Sequence, residues 1–386
     1  MWRHILEQVR KHPGWQRYYS SQGIDLSGIE TEEEFKRLPI LKKSDLPRLQ
    51  KEHPPFAGLA DEVQVARIFV SPGPIYDPQG TAKDYWHFAP LLRKIEVGEG
   101  DIVQNTFSYH LSPAGFMFDT AARAAGAKVV PAGTGNTALQ VDIMRDLQVT
   151  TYVGTPGFLL HLLRTAEEKG LSPGRELALN KAIFTAEKVT EEMDRFFQER
   201  GIVYIDAYGT ADLGCVAYRL PSEKGFTLVD DVYVQICDPG SGHELDGHMT
   251  GELVISRASQ VYPLVRFGTG DLSRWVERGQ RIAGVLGRVG DSYKVKGMFV
   301  HAHQLKEAME LLPDVEYYQA VITHEHGQDQ LTIKVELKSD SPLPSDEQLS
   351  GWTRSVQEVI RVKPRLIVTA RGTLFRVEKP FVDHRT

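Results

Sequence analysis

The sequence has little cysteine, no long apolar segment and no large excess of charge. Its two cysteines, Cys215 and Cys237, cannot build a disulfide framework or a four-thiolate zinc site. It has no run of about 18 apolar residues, and charged residues interrupt its N-terminal segment. We therefore expect no signal peptide and no membrane-spanning helix, and the scarcity of cysteine fits the reducing cytoplasm.

Charge and length favour a multidomain protein that binds small molecules. The formal net charge is −6, and acidic and basic residues are interspersed along the 386 positions. This balance argues against nucleic acid or an anionic membrane as a partner. At about 150 residues per domain, the length predicts two or three domains.

The apolar pattern predicts an α/β fold. From Val65 onward, short β-branched segments alternate with helix-length amphipathic segments, which is typical of βαβ units in a parallel sheet. Residues 1–64 instead predict short exposed helices, one of them over 42–46, with no evident chemistry. The predicted strands of the α/β region are residues 66–70, 101–104, 127–131, 150–153 and 182–184.

Changes of pattern set the predicted domains. Residues 1–64 form an N-terminal helical segment, and residues 226–286 form a β-rich subdomain of short strands bounded by Gly, Pro and Asp. After a Gly-rich stretch, the order is strand, helix, strand, strand, helix, strand. We therefore predict a large N-terminal domain over 1–286, with mostly parallel sheets flanked by helices plus the β subdomain, and a small α+β C-terminal domain over 287–386.

Several short motifs occur in an ordered series. They are Val103-Gln104-Asn105 with Tyr109, Gly135-Asn136-Thr137, Thr155-Pro156, Thr185-Ala186-Glu187, Tyr208-Gly209, Phe267-Gly268-Thr269-Gly270-Asp271, and Gly287-Arg288 with Lys294 and Gly297. Their order and spacing, over roughly residues 65–380, resemble the phenylacetate-CoA ligase branch of the adenylate-forming superfamily. The resemblance implies a large domain whose active-site cleft is capped by a small mobile C-terminal domain, in a family whose members are often dimers.

The resemblance also implies a reaction. Members of the family join a carboxylic acid to ATP with release of pyrophosphate, and then pass the acyl group from AMP to a thiol. A carboxylate is a poor electrophile, whereas its mixed anhydride with AMP has a good leaving group, so the protein contributes mainly positioning and charge stabilisation. We therefore expect ATP or AMP, Mg²⁺ and coenzyme A as ligands, and an aromatic or other small carboxylic acid as substrate.

One segment matches the family's adenine and metal motif. By resemblance, the ring of Tyr208 lies against adenine, and Asp212 holds Mg²⁺ near the phosphates and has a catalytic role, because a carboxylate suits that hard cation. Asp206, Gly209 and Thr210 in the same segment are also expected to bind the nucleotide. The alternative is a plain turn after a strand, in which Tyr208 only packs.

A second set of residues is expected at the ribose and the adenine edge. By resemblance, Asp271 accepts both ribose hydroxyls, a role that suits an acceptor with two oxygens, and Arg288 lies near the ribose and phosphate. Alternatively, Asp271 ends a strand in a tight glycine turn, and Arg288 forms a surface ion pair. Ala186 and Glu187 match a segment whose backbone edges the adenine; the alternative is an acid near a helix start.

The resemblance places the acyl group and the catalytic lysine as well. Phe107, Tyr109, Ser112 and Phe116 occupy the stretch that helps to line the acyl pocket in the family. Their aromatic content suits a flat aryl acid, although aromatic clusters also form plain core. Near the C-terminus, Lys379 matches the lysine that neutralises charge on the α-phosphate and the carboxylate; otherwise it is an exposed tail lysine.

The chain departs from the family at the phosphate loop. Ser71 and Gly73 match phosphate-binding positions, but Pro72 and Pro74 lack N–H donors, and Ile75 lacks a hydroxyl. Charge-assisted hydrogen bonds are worth roughly 1.5–3 kcal/mol each, so losing two or three would weaken ATP binding by orders of magnitude.

Two more departures are Ala211, where the family has Ser or Thr, and Gly290, where it has a hinge acid. Three hypotheses remain. The protein is an ATP-dependent acid–CoA ligase, or a catalytically impaired relative that binds nucleotide or acyl-CoA in a regulatory role, or a ligase that loads a carrier-protein thiol.

Overall fold

The structure is a computed structural model that describes residues 1–71, 74–289, 292–295, 298–325, 328–374 and 381–384. The chain folds as two units, of which the first comprises residues 1–269 and 273–284 and the second residues 270–272 and 285–386. The domain boundary near residue 287 and the mobility of the smaller domain stay predictions. Within the described ranges, no helix has the length and apolar character needed to cross a membrane.

The first unit contains most of the helices and strands. Its helices are α1 (Trp2–Lys11), α2 (Pro13–Ser20), α3 (Glu32–Lys36), α4 (Leu46–Glu52), α5 (Ala89–Lys94), α6 (Ala114–Ala125), α7 (Thr137–Asp146), α8 (Pro156–Glu168) and α9 (Glu191–Glu199). Its strands are β1 (Leu41–Lys42), β2 (Val65–Ser71), β3 (Ile75–Gly80), β4 (Ile102–Asn105), β5 (Lys128–Pro131), β6 (Thr151–Gly154), β7 (Lys181–Phe184), β8 (Val203–Thr210), β9 (Gly214–Arg219), β10 (Phe226–Leu228), β11 (Val232–Cys237), β12 (Gly251–Arg257), β13 (Leu264–Ser273), β14 (Trp275–Glu277) and β15 (Arg281–Ile282).

A nine-stranded sheet forms the framework of this unit. Its order is β14-β15-β10-β9-β8-β7-β6-β4-β5, and the five strands from β8 to β5 are parallel. Helices connect most of the parallel strands; α8, for example, begins after Thr155, whose Oγ1 accepts from Phe158 N, and gives way to Gly170 at φ +75°. The predicted α/β fold is confirmed, and the strands predicted from residue 101 to residue 184 are present.

Two local predictions differ from the structure. The strand predicted at 66–70 does not join the parallel sheet, because β2 pairs antiparallel with β3 in a separate hairpin. Its connection to β3 is too short for the crossover that a parallel pair needs. The helix predicted over 42–46 is present only in part: residue 42 belongs to β1, which pairs parallel with β13, residues 43–45 form a 3-10 helix, and α4 begins at Leu46.

The N-terminal helical segment is part of the core of the first unit. Leu41 of β1 pairs in register with Phe267, in a sheet whose order is β1-β13-β12-β11. Trp15 is fully buried, and its indole Nε1 donates to Pro263 O at 2.9 Å. Because buried aromatic side chains contribute large apolar areas, this segment stabilises the sheet that it covers.

The second unit contains the predicted strand, helix, strand, strand, helix and strand in that order, together with strands that the pattern did not predict. It contains α10 (Ala302–Glu310), α11 (Asp346–Ile360), β16 (Gly287–Arg288), β17 (Ser292–Val295), β18 (Met298–His301), β19 (Val315–Glu325), β20 (Gln328–Leu337), β21 (Arg365–Val368) and β22 (Phe381–Asp383). The sheet order is β21-β20-β19-β22, and β19 and β20 form the predicted hairpin. Leu305, Ala308, Met309 and Leu312 are buried, as their helical spacing predicts.

Candidate functional site

The carboxyl ends of the parallel strands bring several motifs to one edge of the sheet. Phe184 ends β7 opposite Asp206 of β8, so the turn at 185–187 leaves the sheet beside the continuation of β8 through Tyr208. Gly154 ends β6 opposite Phe184, and Thr155 follows it. In open α/β sheets, ligands bind outside the carboxyl ends of the strands, so this edge is the candidate nucleotide site of the first unit.

The turn between β8 and β9 carries Asp212 and is held by hydrogen bonds from other elements. Trp86 Nε1 donates to Ala211 O at 2.9 Å, and Leu213 N donates to Thr210 Oγ1 at 3.1 Å. Buried Arg257 donates from Nη1 to the carbonyls on either side of Gly214, those of Leu213 and Cys215. These bonds fix the backbone of the turn. No local sequence motif indicates that Trp86 or Arg257 supports this turn.

Asp231 completes the support of Arg257. Its two oxygens accept from Arg257 Nη2 at 2.6 Å each, and His87 Nδ1 lies 2.6 Å from Oδ2. Burial would raise the pKa of Asp231, but the bonds from His87 and Arg257 outweigh it and hold that pKa well below its usual range. Asp231 is therefore a fixed anion that orients the guanidinium beneath the turn.

The side chain of Asp212 is fully buried and faces a lysine. Lys43 Nζ lies 2.6 Å from Asp212 Oδ2. A second acid, Asp77 on β3, is buried near it, and Ser71 Oγ donates to Asp77 Oδ2. Burial, and then the charge of Asp212, raise the pKa of Asp77 to about 7. Neither Lys43 nor Asp77 was predicted as a site residue, because each lies far from Asp212 in the sequence.

The acids present fit a divalent cation only together with oxygen ligands from outside the chain. Asp77 Oδ1 and Asp212 Oδ1 are buried and have no hydrogen-bond partner among the described residues. Mg²⁺ prefers such oxygens, and typically takes one or two carboxylates plus phosphate and water. Within the described part of the chain, no cluster of three or more His, Cys, Asp or Glu side chains could hold a metal ion. The metal role of Asp212 stays a prediction.

The phosphate-loop positions are only partly described. Ser71 is buried, and its hydroxyl donates to Asp77. Ile75 is also buried, in the main apolar core of the first unit, where it supplies no polar group. Gly73 and Pro72 lie outside the described residues. A phosphate-binding role for Ser71 therefore requires its hydroxyl to exchange Asp77 for a ligand, and it stays a prediction.

Tyr208 and Asp206 lie on β8 in different settings. The ring of Tyr208 is 8% exposed and belongs to the main apolar core, so its side chain is nearly buried. Asp206 Oδ2 accepts from Arg219 Nη2 at 2.8 Å, and burial outweighs this cation, raising the pKa of Asp206 to about 6. A side chain at Gly209 would collide with the carbonyl of Gly214. The nucleotide-binding roles of all three residues stay predictions.

The turn after β7 is strained and anchored. Ala186 has φ +68°, in the left-handed region that costs a residue with a Cβ roughly 1 kcal/mol or more. Glu187 Oε2 accepts from Gly157 N at 3.1 Å, in the first turn of α8. The alternative role predicted for Glu187, an acid at a helix start, is therefore present at α8. Strain at a sheet edge is typical of ligand-binding turns, so this geometry supports the candidate site.

The residues predicted to line the acyl pocket are half-buried and lie in aromatic contacts. The rings of Tyr109 and Phe116 are 5.3 Å apart, and Phe107 stacks on Phe118 at 5.3 Å. Tyr109 is oriented by Asn105, whose Nδ2 donates to its hydroxyl at 2.9 Å. Ser112 Oγ accepts weakly from Ala114 N at 3.5 Å, before α6. The structure brings Tyr109 and Phe116 together, while Phe107 faces the core through Phe118.

Asp271 and Arg288 are brought together in the second unit. They lie opposite each other on β13 and β16, and Arg288 Nε is 3.2 Å from Asp271 Oδ1. The acid side chain is 7% exposed and the arginine side chain 71% exposed. Their ribose role stays a prediction, and so does that of Lys379, which lies outside the described residues together with Gly290.

Three comparisons place this geometry among known proteins. The family model of AMP-binding enzymes matches residues 88–262. The phenylacetate-coenzyme A ligase of Pseudomonas putida is 27% identical over 406 residues, which cover 97% of this chain and 91% of the relative. That of Thermus thermophilus is 26% identical, covering 96% of this chain and 89% of the relative.

A solved structure shares the fold. The open conformation of 2-hydroxyisobutyryl-CoA ligase, in complex with its acyl-AMP and coenzyme A, superposes with a TM-score of 0.82 at 21% identity, covering 98% of this chain and 90% of that one. The chain is thus similar to AMP-binding enzymes over residues 88–262 and, over nearly its whole length, to phenylacetate-coenzyme A ligases, and it shares the fold of an acyl-CoA ligase.

Proposed function

We propose that the protein is an AMP-forming acid–thiol ligase that activates an aromatic or other small carboxylic acid as acyl-AMP and transfers the acyl group to coenzyme A. The observation that carries the proposal is the near full-length similarity to phenylacetate-coenzyme A ligases, combined with the buried, preorganised turn that carries Asp212. ATP, Mg²⁺ and coenzyme A are the ligands that this family uses. The expected location is the cytoplasm, and a homodimer is the expected assembly.

Each predicted residue has a role that its chemistry supports. The edge formed by Tyr208 and the 185–187 turn would receive adenine, and Asp271 with Arg288 would receive the ribose. Asp212 would hold Mg²⁺, which neutralises charge on the phosphates when bound, and Lys379 would neutralise the reacting carboxylate. Fixed donors and charges of this kind lower a barrier because they need no reorganisation during the reaction.

The half-buried aromatic cluster supports an aryl acid as substrate. Phe116 contacts Phe69 at a ring distance of 5.3 Å as well as Tyr109, and the guanidinium of Arg67 lies 5.0 Å above the ring of Phe116. Flat rings stack favourably against such a surface. A Phe116→Ala variant should therefore raise KM for aryl acids more than for short aliphatic acids.

The direct test is formation of AMP. The pure full-length protein should release AMP when it is incubated with ATP, Mg²⁺, coenzyme A and a panel of aryl and short-chain acids. At least one acid should increase AMP release over the acid-free control. If no acid in a broad panel does so, the ligase proposal is wrong.

A second candidate is a relative that binds nucleotide or acyl-CoA without the chemistry. It is favoured because the polar groups near the predicted phosphate site already contact each other: Ser71 donates a hydrogen bond to Asp77, and Lys43 forms an ion pair with Asp212. Calorimetry distinguishes it, because it predicts binding of AMP or acyl-CoA without acid-dependent pyrophosphate exchange. A ligase that loads a carrier-protein thiol would instead release AMP with an acceptor other than coenzyme A.

A further inference from the structure

One ion pair connects the N-terminal helical segment to the turn that carries Asp212. Lys43 and Asp212 are 169 positions apart, and their side chains meet at 2.6 Å. The pairing of Leu41 with Phe267 in β1 and β13 brings Lys43 to this position. The Asp212 side chain is fully buried, whereas the Lys43 side chain is 25% exposed. The Lys43 side chain is therefore in contact with solvent, whereas the Asp212 side chain is not.

The corner around this ion pair holds unused polar atoms. Asp77 Oδ1, Asp212 Oδ1 and the hydroxyl of Tyr262 have no hydrogen-bond partner in the ranges that the structure describes. Buried polar groups are usually paired, so these atoms indicate that Lys43 alone does not satisfy the corner, in which a hydrogen bond between Asp77 and Asp212 also contributes to the raised pKa of Asp77. The charges of Asp212 and Asp77 act on Tyr262, which places its hydroxyl in their vicinity. Lys43 donates a hydrogen bond to one of the two oxygens of Asp212, Oδ2.

We propose that Lys43 is the resident counter-cation of the Asp212–Asp77 pair and competes with the divalent cation for Asp212. The identity of that cation as Mg²⁺ rests on the proposed function, whereas the ion pair does not. An ammonium group is a compact point charge, and so is Mg²⁺, so the two repel each other at a single buried carboxylate. Metal occupancy requires the ammonium to withdraw toward solvent.

This competition lowers the metal affinity of the ligand-free protein. If Lys43 occupies Asp212 most of the time, the apparent dissociation constant for the metal rises by the reciprocal of the free fraction. A neutral side chain at position 43 removes the ammonium that competes with the metal, so the negative charge of Asp212 and Asp77 is no longer neutralised by a lysine. Such a variant should bind a divalent cation more tightly than the wild type, although it has lost a residue of the site.

Binding of Mn²⁺, followed by electron paramagnetic resonance on the full-length protein without nucleotide, tests the proposal. Lys43→Gln, which keeps a hydrogen-bond donor near Asp212, should bind Mn²⁺ about tenfold or more tightly than the wild type. Lys43→Arg should bind as weakly as the wild type. Lys36→Met is the matched control, because it removes a lysine of similar burial, 20% exposed, that pairs with Glu33 and Glu244 rather than with Asp212, and it should leave Mn²⁺ affinity unchanged.

A thermal measurement provides a second readout. Lys43→Met should have a lower Tm than the wild type, and excess MgCl₂ should raise the Tm of this variant more than that of the wild type. Adding Asp212→Asn to Lys43→Gln should abolish the gain in Mn²⁺ affinity. Mn²⁺ binding to Lys43→Gln that is no tighter than to the wild type would overturn the proposal. Tighter binding in a protein that activates no acid would support the counter-cation and overturn only the ligase function.

Discussion

Asp212 and Asp271 are both buried acids that face a cation, but the two ion pairs differ in the position of the cation. Lys43 is three-quarters buried beside Asp212, at 2.6 Å, within a corner that also contains Asp77. Arg288 is 71% exposed beside Asp271, at 3.2 Å. The first pair is largely removed from water, whereas the second has a solvated partner.

Because of this difference in burial, we expect the Lys43–Asp212 pair to stabilise the fold and the Arg288–Asp271 pair to exchange more easily for a ligand. Removing one partner of a buried pair strands a charge and typically costs about 3–5 kcal/mol, whereas pairs with an exposed partner contribute about 0–1 kcal/mol. Asp271 can therefore exchange Arg288 for ligand hydroxyls at little cost to the fold. Asp212 can accept a ligand only if its surroundings rearrange.

The support beneath Asp212 should be essential to stability. Arg257→Met removes the cation that holds Asp231 and the carbonyls of Leu213 and Cys215, and it should lower the free energy of unfolding by about 3–5 kcal/mol. Urea unfolding measures this change. Arg278→Met is the control, because that side chain is 55% exposed in surface pairs, and it should change stability by about 0.5 kcal/mol or less. Equal losses in the two variants would contradict the contrast.

The pair of Asp206 with Arg219 should make the stability of the protein depend on pH, with an effect between those of the buried pair and the exposed pair. The pKa of Asp206 is raised to about 6 in the folded state, so the folded protein holds this proton more tightly than the unfolded chain does. The stabilisation is complete below the unfolded pKa of about 4 and is lost as pH rises through about 6, a change of about 3 kcal/mol.

Asp206→Asn removes this titration. The unfolding free energy of the wild type minus that of Asp206→Asn should therefore fall between about pH 4 and about pH 6 and then level off. Urea unfolding of both proteins across this range measures the difference. A difference that stays flat or rises with pH would show that Arg219, rather than burial, controls the proton of Asp206.

Loss of the exchangeable acid should reduce nucleotide binding. Asp271→Ala removes the proposed acceptor of two ribose hydroxyls and should weaken AMP binding by about 100-fold, because charge-assisted hydrogen bonds are worth about 1.5–3 kcal/mol each. Calorimetric titration with AMP measures the effect. Asp246→Ala, at a side chain that is 93% exposed, serves as the control. Unchanged AMP affinity in Asp271→Ala would remove Asp271 from the nucleotide site.

The smallest expected effect is that of the exposed cation. Arg288→Met should lower the free energy of unfolding by only about 0–1 kcal/mol, because water replaces the guanidinium at low cost. Lys43→Met, measured in the same urea series, should lose several times more. If the two variants lose similar stability, the burial of Lys43 does not distinguish the two pairs.

Local patterns predicted much of the fold. The β-branched segments at 101–104, 127–131, 150–153 and 182–184 became strands because continuous burial in a parallel sheet demands apolar residues on both faces. The sequence also predicts the helix that carries Leu305, from the spacing of its apolar residues up to Leu312. It predicts the β19–β20 hairpin from the alternation of apolar and polar residues. These features depend on neighbours in the sequence, so the sequence alone carries their signal.

Long-range pairings could not be predicted in the same way. Lys43 reaches Asp212, and Trp86 reaches Ala211, only because distant strands pair and pack. The segment 42–46 has helical composition but begins in β1 and reaches α4 through a 3-10 helix, since pairing with β13 outweighs local propensity at residue 42. The order of the sequence motifs therefore located the turn that carries Asp212. The residues that support this turn, and the lysine that faces Asp212, could be identified only from the three-dimensional structure.

Formation of an acyl-adenylate is the central step of the proposed function, and acid-dependent exchange of labelled pyrophosphate into ATP measures that step most directly. The wild type should catalyse exchange with at least one acid of an aryl and short-chain panel, and Lys379→Ala should reduce the rate by about 100-fold or more. Exchange that no acid stimulates, in a protein that still binds AMP, would contradict the account and identify a nucleotide-binding relative without adenylation chemistry.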